Sequence, residues 1–209
     1  NGTVNIASSG ALHLEAGSVV RFDGSLTRLD VSGRFYALGT ADRAVVLTGR
    51  SAVPGSWAGV AIAAGGRAVL EQCEVAYAAG LAVGSSQTVI HACDIHDSSV
   101  VGIQVENNAQ PVIAGNSIRS NPRGLVNTSN TVEVDARGNW WGDPSGPYHP
   151  VLNPGGVGND VSDRVRFADW LAAPPVAPPP VSDLSIDVSG PQTVNPGGIA
   201  EFVVSYQYV

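Results

Sequence analysis

The sequence predicts an all-β solenoid, a chain wound into stacked coils of about 22 residues each. One observation is an internal repeat, in which short apolar runs open with Gly80, Gly102 and Gly124 at two equal intervals. The other is the composition, since 25 Gly and 14 Pro with only 14% charged residues suit many short strands joined by tight turns. Two or three short strands per repeat are typical of a β-coil and not of a helical repeat.

Residues 1–68 contain strand-like runs in which apolar and polar side chains nearly alternate, with turn residues between the runs. We interpret them as the first coils of the same solenoid, with less regular lengths. The runs are Thr3–Ile6, Ala11–Leu14, Ser18–Phe22, Leu29–Val31, Arg34–Thr40, Ala44–Thr48 and Trp57–Ile62.

The stretch Val69–Asn127 carries the clear repeat, and the alternation of strand side chains assigns each position there to an inward or an outward face. Equivalent side chains of neighbouring coils then stack about 4.8 Å apart. The predicted inward columns are Val75/Ile95/Ile118, Leu81/Ile103/Leu125, Val83/Val105 and Cys73/Cys93/Asn116.

Buried polar residues in such columns predict structural ladders. Asn139 follows Asn116 by one predicted coil, and stacked amides of this kind form hydrogen-bonded ladders. Cys73 and Cys93 would lie on adjacent strands, at a separation that permits a disulfide. Their parallel Cβ directions favour two stacked, buried and unreactive thiols instead.

The next segment, 136–171, is rich in Gly and Pro, which excludes regular strands through most of it, yet it carries many aromatic residues. We interpret it as a C-terminal cap, since the end of a solenoid exposes unpaired strand edges and a cross-section of the core. Its aromatic residues are Trp140, Trp141, Tyr148, Phe167 and Trp170.

Beyond the cap, 172–182 is a Pro-rich linker, and 183–209 contains two alternating, strand-like runs. Two strands are too few for a stable domain, so this tail looks like the truncated start of an immunoglobulin-like unit. Its unpaired strands predict self-association by edge pairing.

Charge and hydropathy exclude two classes of partner. The net charge is −7, the isoelectric point is near 4.9, and all 11 basic residues are Arg. Such a chain offers no basic stripe for nucleic acid and no attraction to anionic membranes. No run of about 20 apolar residues is present, so we expect no membrane insertion.

With these residues described, the chain resembles the right-handed parallel β-helix repeat family of bacterial secreted and cell-surface proteins. The resemblance covers roughly residues 1–171 and rests on the regular coils and on two motifs, Ala37–Thr40 through Gly59 and Gly138–Gly142 through Gly156. It implies a single-stranded, pectate-lyase-like fold and an extracellular or cell-surface location. The fold alone does not imply activity.

Stacking the predicted coils brings together few groups that could carry out chemistry. The outward residues after the repeat glycines are Ala82, Gln104 and Val126, which supply no acid–base pair. A second outward column places Glu74 over Asp94, and we interpret both as solvated surface residues. We therefore identify no catalytic residue.

Two sets of residues are ligand candidates. Exposed aromatic rings stack on sugars, and the candidates for this role are Trp57, Tyr36, Tyr77 and Tyr148. Oxygen-rich loops bind Ca²⁺, and the candidates in the cap are Asp143, Asn159, Asp160 and Asp163, although their spacing matches no EF-hand. We expect no other cofactor.

Two functions follow as hypotheses. The first is a non-catalytic structural or interaction module of an exported multidomain surface protein, with polysaccharide or other surface proteins as partners. The alternative is a carbohydrate-binding or polysaccharide-active β-helix. A catalytic function is less favoured than a non-catalytic one, because we identify no acid–base or metal constellation in the sequence.

Overall fold

In a computed structural model of the chain, residues 2–175 are described, together with the backbone of two strands at 184–189 and 203–208. All regular secondary structure within these residues is β. Five successive coils of three strands each form a parallel β-solenoid, and a sixth coil begins after them.

Each coil contributes one strand to each of three sheets. The strands are, in the first coil, β1 (Thr3–Ile6), β2 (Ala11–Glu15) and β3 (Val19–Phe22); in the second, β4 (Arg28–Val31), β5 (Arg34–Leu38) and β6 (Val45–Gly49); in the third, β7 (Gly59–Ile62), β8 (Arg67–Glu71) and β9 (Cys73–Ala76); in the fourth, β10 (Leu81–Val83), β11 (Thr88–His91) and β12 (Asp94–His96); in the fifth, β13 (Ile103–Val105), β14 (Val112–Ala114) and β15 (Ser117–Arg119); and then β16 (Leu125–Asn127), β17 (Val134–Asp135), β18 (Val165–Arg166), β19 (Leu184–Ser189) and β20 (Val203–Tyr208).

The three sheets run along the solenoid axis, and every strand pair in them is parallel. Sheet A contains β1, β4, β7, β10, β13 and β16; sheet B contains β2, β5, β8, β11 and β14; sheet C contains β3, β6, β9, β12 and β15. Leu81, Ile103 and Leu125 are register partners at equal steps along the chain, as the repeat predicts.

The first coils are longer and less regular than the repeat. Thr3 pairs with Arg28 and Arg28 with Gly59, and both of these steps exceed the step from Leu81 to Ile103. The step from Arg28 to Gly59 is the longer of the two because it holds the loop between β6 and β7. These coils nevertheless extend the same three sheets, so β1–β7 belong to the solenoid with the regular coils.

The core consists of inward columns of aliphatic side chains. Val75, Ile95 and Ile118 are register partners in sheet C, and each is at most 2% exposed. The columns through Leu81 and Val83 in sheet A are equally buried. The inward face assigned from strand alternation is therefore confirmed. Packing of neighbouring columns removes apolar surface from water. This stabilises the fold by about 25 cal/mol per Å² of apolar area buried.

The bends between sheets are made by residues in the left-handed conformation. At the corner between sheets B and C the same position has positive φ in four successive coils, at Gln72, Ala92, Gly115 and Gly138. At the corner after sheet C the equivalent residues in three successive coils are Tyr77, Asp97 and Ser120. Non-glycine residues adopt this conformation rarely, so its repetition indicates that the stacked coils impose it.

The segment predicted as the cap first continues the ladder and then covers it. Trp140 bridges to Ser117 of sheet C, and Val161 bridges to Leu125 of sheet A, both in parallel. Trp141 is fully buried beneath this sixth turn, and Phe167 is 5% exposed. Residues 143–171 then pass over the end of the core. The cap therefore closes sheets A and C with backbone pairing as well as with aromatic side chains.

The tail contributes the antiparallel pair β19 and β20. Pairing of two strands agrees with the alternation read from the sequence. The side chains of these strands lie outside the described residues, and so does most of 172–183, so the immunoglobulin-like start and the linker remain predictions.

Gly146 offers a test of how tightly the cap is packed. Its φ is +79°, and a Cβ built on it would lie 2.4 Å from the indole of Trp170. Gly138 has a similar φ of +69° but no atom within 4 Å of such a Cβ, so it is a matched control for backbone strain. We expect Gly138→Ala to lower the free energy of unfolding by about 1–2 kcal/mol, and Gly146→Ala by about 2–4 kcal/mol because the steric clash is added. Urea unfolding measures both, and equal losses would show that Trp170 is loosely held.

Candidate functional site

The corner between sheets B and C carries a column of buried polar groups, formed by Cys73, Cys93, Asn116 and Asn139. The Asn116 side chain accepts a hydrogen bond from the Cys93 backbone N–H at 2.9 Å and donates one to the Ile90 carbonyl at 2.9 Å. Its amide also donates to Asn139 Oδ1 at 3.0 Å. Both asparagines have 0% exposure. Their amides thus satisfy backbone groups that the bend leaves without strand partners.

The next corner carries a second column, which the sequence reasoning missed. Asn121 accepts hydrogen bonds from the backbone and the hydroxyl of Ser98, and its amide donates to Asn159 Oδ1 at 3.0 Å. Asn159 returns a hydrogen bond to the Asn121 carbonyl at 2.8 Å. The signal was present in the sequence, because Asn121 follows Ser98 by one coil, as Asn116 follows Cys93.

The two cysteines are free thiols in the core. The Cys93 thiol donates to the Leu70 carbonyl at 3.4 Å, and the Cys73 thiol donates to the Ala37 carbonyl at 3.3 Å. Hydrogen bonding to Cys93 and burial raise the pKa of the Cys73 thiol well above its ordinary value. A thiolate nucleophile is therefore excluded at Cys73.

A group of ionisable side chains from three coils lies on the outer face of sheet C. We call it the His96 cluster, and its members are Glu74, Asp94, His96, Asp97 and Arg119. Asp94 pairs in register with Glu74 on one side and with Ser117 on the other, and His96 pairs with Arg119. Three neighbouring coils therefore bring the five side chains to one face, through residues that are far apart in sequence.

Within the His96 cluster each charged group has a partner of opposite charge. His96 Nδ1 lies 2.8 Å from Asp97 Oδ2, and Nε2 lies 3.3 Å from Glu74 Oε1. Arg119 donates to Asp94 Oδ2 at 2.6 Å. The His96 side chain is only 9% exposed, while Arg119 is 38% exposed. Glu74 and Asp94 lie on the outer face, with side chains 41% and 21% exposed, and both belong to this network.

The protonation state of His96 decides what the cluster can do chemically. Burial alone would lower the pKa of His96, but the hydrogen bonds to Glu74 and Asp97 and the charge of Asp94 outweigh it, so the pKa is raised. The protonated ring donates from both nitrogens to carboxylates and has no free lone pair. In this arrangement His96 cannot act as a general base without breaking one of those hydrogen bonds.

The four aromatic candidates for sugar stacking lie in different environments. Trp57 is wrong as a candidate because it is fully buried, stacked on Phe22 at 4.2 Å, with its indole N–H donated to the Ala76 carbonyl. Tyr77 is half-buried and meets His96 edge-on, with ring centroids 6.1 Å apart. Tyr148 is 43% exposed on the cap.

Tyr36 remains the most suitable of these rings for stacking. It is half-buried on the outer face of sheet B and stacks on His13 with centroids 4.6 Å apart. The same outward column continues through Val69, Val89 and Val112, which is 53% exposed. Sheet B thus presents an apolar strip along the solenoid axis.

The four Ca²⁺ candidates in the cap are each engaged by a different protein group, and the structure does not bring them together as a ligand set. Asp143 accepts from the Ser145 hydroxyl, Asn159 is bound to Asn121, Asp160 is paired with Arg123, and Asp163 with His149. Within the described residues no group of three His, Cys, Asp or Glu side chains is placed to hold a metal ion.

The cap contains a buried histidine, His149, which contacts one of the cap aromatics. Trp170 donates its indole N–H to the Pro144 carbonyl at 3.1 Å, and Phe167 stacks on His149 with centroids 5.8 Å apart. His149 Nδ1 accepts from the backbone N–H groups of Val151 and Leu152, so Nε2 is left to donate to Asp163 at 3.2 Å. These contacts hold the loop 147–153 over the end of the core.

Comparison with known proteins identifies the fold family. The family model described as a right-handed beta helix region matches residues 4–140, which is more than half of the chain. The chain therefore belongs to the right-handed β-helix family, and the predicted fold class is confirmed. No curated protein and no solved structure matches it. The part of the chain that the structure describes contains no helix with the length and apolar character needed to cross a membrane.

The raised pKa of His96 makes its stabilising effect depend on pH. A group with a higher pKa in the folded state stabilises fully below its unfolded pKa, near 6.5, and loses that effect as the pH rises through the folded value. We expect His96→Gln to reduce the free energy of unfolding more at pH 5.5 than at pH 8.5. His91→Gln is the control, because His91 pairs with Glu71 but is 48% exposed, and exposed pairs contribute about 0–1 kcal/mol. Equal losses for His96→Gln at both pH values would contradict the assignment.

The scattered partners of the cap carboxylates give a prediction about Ca²⁺. A cation held at a hundred times its dissociation constant would raise the melting temperature of a chain of this size by roughly 5–10 °C. We expect no such shift when Ca²⁺ replaces EDTA, because Asp143, Asn159, Asp160 and Asp163 already have separate partners. Differential scanning calorimetry in the two buffers checks this, and a rise that Asp160→Asn abolishes would establish a cap site.

Proposed function

We propose that this β-helix is a non-catalytic structural and interaction module of an exported, multidomain surface protein. The observation that carries the proposal is the internal pairing of the His96 cluster. Its histidine and arginine side chains lie within hydrogen-bond distance of its carboxylates, which supports a role for these groups in joining neighbouring coils.

The polar groups of the coil corners support the same function. Asn116, Asn139 and Asn121 direct their amides at backbone groups of neighbouring coils, which makes them part of the framework. Five coils at the usual strand spacing give a rod of roughly 24 Å. Its length is set by backbone pairing and its cap closes one end, so the rod holds its flanking segments at a fixed distance.

The sequence context favours an extracellular or cell-surface location. A Pro-rich segment follows the cap, and such segments act as extended, semi-rigid spacers between domains. The net charge of −7 keeps the surface away from anionic lipids and nucleic acid. The partners that fit are polysaccharides or other surface proteins.

A turnover assay on a panel of acidic and neutral polysaccharides, with and without Ca²⁺, tests the absence of catalysis. We expect no cleavage under either condition. Cleavage that is lost in both Glu74→Gln and His96→Gln, but kept in His91→Gln, would place catalysis in the His96 cluster and overturn the proposal. His91 is a suitable control because it belongs to the outer face of sheet B, away from that cluster.

Carbohydrate binding is the second candidate function, and the outer face of sheet B favours it. Tyr36 and the valines of its column form an apolar strip, with Arg34 and Arg67 along one side and the His91–Glu71 pair along the other. Sugars present apolar ring faces with hydroxyl groups around them, and an aromatic ring with polar neighbours suits such a surface.

Binding to a glycan array separates the two functions. If sheet B binds a glycan, Tyr36→Ala should weaken binding about tenfold or more. Tyr148→Ala on the cap should leave it unchanged. If the chain binds no glycan on the array, only the structural role remains. Binding that depends on Tyr148 and not on Tyr36 would move the site to the cap.

A further inference from the structure

The turns that join sheet A to sheet B carry no acidic side chain in the first four coils. These turns, which we call the A–B corner, are residues 7–10, 32–33, 63–66 and 84–87, and they consist of Ala, Gly, Ser and Gln only. Their composition stands out in a chain with 18 acidic and 11 basic residues. A cationic side chain next to the A–B corner therefore meets no carboxylate from these turns.

Two arginines lie next to the A–B corner. Arg34 and Arg67 are the first residues of β5 and β8, they are register partners, and both are exposed. Their neighbours in the same outward column are also uncharged, with Ala11 beside Arg34 in the first coil and Gln87 beside Arg67 in the fourth. Within the described residues neither guanidinium group forms an ion pair with a carboxylate.

The stacking of Arg34 on Arg67 is unfavourable for the fold by itself. Like charges directly opposite each other on neighbouring strands repel and destabilise a sheet. On the outer face of sheet C, by contrast, Arg119 is neutralised by Asp94. Two adjacent guanidinium groups without a counter-charge form an arrangement that a bound anion would stabilise.

An aromatic ring lies beside the arginine pair on the same face. Tyr36 and Arg34 both project outward from β5, and two residues along a strand separate their Cα atoms by about 7 Å. Tyr36 stacks on His13 on one side, and its column continues to Val69 on the other. A ligand that reaches from the arginines to Tyr36 thus combines an anionic group with a ring that has an apolar face.

The two arginines also indicate which anionic group fits. Each guanidinium presents a planar fork of N–H donors. A carboxylate has two oxygens in one plane, and a single fork satisfies both of them. A sulfate or phosphate ester has its oxygens arranged as a tetrahedron, so it accepts hydrogen bonds from two forks that approach from adjacent coils.

We propose that Arg34, Arg67 and Tyr36 form a site for a glycan that carries a sulfate or phosphate ester. The ester binds the two guanidinium groups, and a sugar ring lies against Tyr36. This inference rests on carbohydrate binding, the second candidate function, and names the ligand class for the outer face of sheet B. Because the net charge of −7 repels polyanions from the molecule as a whole, binding is confined to this acid-free corner.

Equilibrium binding of a matched series of dextran oligosaccharides tests the ligand class. The series contains unmodified, carboxymethylated, sulfated and phosphorylated forms of one backbone. We expect an ester form to bind at least about tenfold more tightly than the carboxymethylated form, and the stronger of the two esters identifies the anion. Equal affinity for the carboxymethylated and ester forms would overturn the inference, and if that binding depends on Tyr36, carbohydrate binding itself still stands. Binding of none of the four forms would overturn both.

Substitutions locate the site. Arg34→Gln and Arg67→Gln should each weaken binding of the preferred ester at least about tenfold, and Tyr36→Ala should weaken binding of the glycan but not of inorganic sulfate. Arg164→Gln is the matched control, since Arg164 is exposed in the cap and forms no ion pair in the part of the chain that the structure describes. Unchanged affinity in both arginine variants would refute the site. Unchanged glycan affinity in Tyr36→Ala would show a site for a free ion and overturn the inference.

The melting temperature separates a ligand site from a structural role of the arginines. Because Arg34 and Arg67 repel each other, neither Arg34→Gln nor Arg67→Gln should lower the melting temperature of the free chain. The preferred ester should raise the melting temperature of the unmodified chain and of Arg164→Gln, but not that of the other two variants. A fall of several degrees in both variants without ligand would show that the fold requires the arginines and would contradict the inference.

Discussion

In the described solenoid each coil pairs with the coils directly before and after it, and the other features follow from that constraint. Strand pairing satisfies the backbone along the three sheets, but a bend between sheets leaves N–H and C=O groups with no strand partner. Asn116 resolves this at one corner, because its side chain accepts from the coil before it and donates both backward and forward. A column of such residues holds the coils in register, and replacing one would leave several buried groups unpaired.

The same stacking determines what the outer faces can do. A strand of three residues offers one or two outward side chains, so any cluster has to be assembled from consecutive coils. The His96 cluster is assembled in this way, with Glu74, Asp94 and Arg119 supplied by three strands of sheet C. Stacking at the strand spacing would bring the carboxylates into mutual repulsion, and His96 and Arg119 neutralise them. The network therefore joins three consecutive coils on this face.

The regular coils could be predicted from the sequence because two periodicities agree there, the alternation along each strand and the constant step between coils. Together they place Ile95 inside and Glu74 beside Asp94. The same step between coils, applied two positions after Asp94, would also have paired His96 with Arg119.

Trp57 could not be placed in this way, because it lies in the long, irregular second coil before Gly59. Neither the face on which Trp57 lies nor its contact with Phe22 follows from counting residues there. Asp97 contacts His96 from a left-handed backbone position, a conformation that the sequence does not indicate for Asp97 or for its equivalents Tyr77 and Ser120.

The three outer faces of the solenoid have different chemistry although their strands follow the same inward rule. The outward column of sheet A is small or neutral at Ala82, Gln104 and Val126, that of sheet B is apolar, and that of sheet C is charged. Because outward side chains lie outside the packed inward columns, the chemistry of each face can differ while the core stays the same. In such a fold the inward columns stabilise the stacked coils, and the outward columns present side chains to solvent.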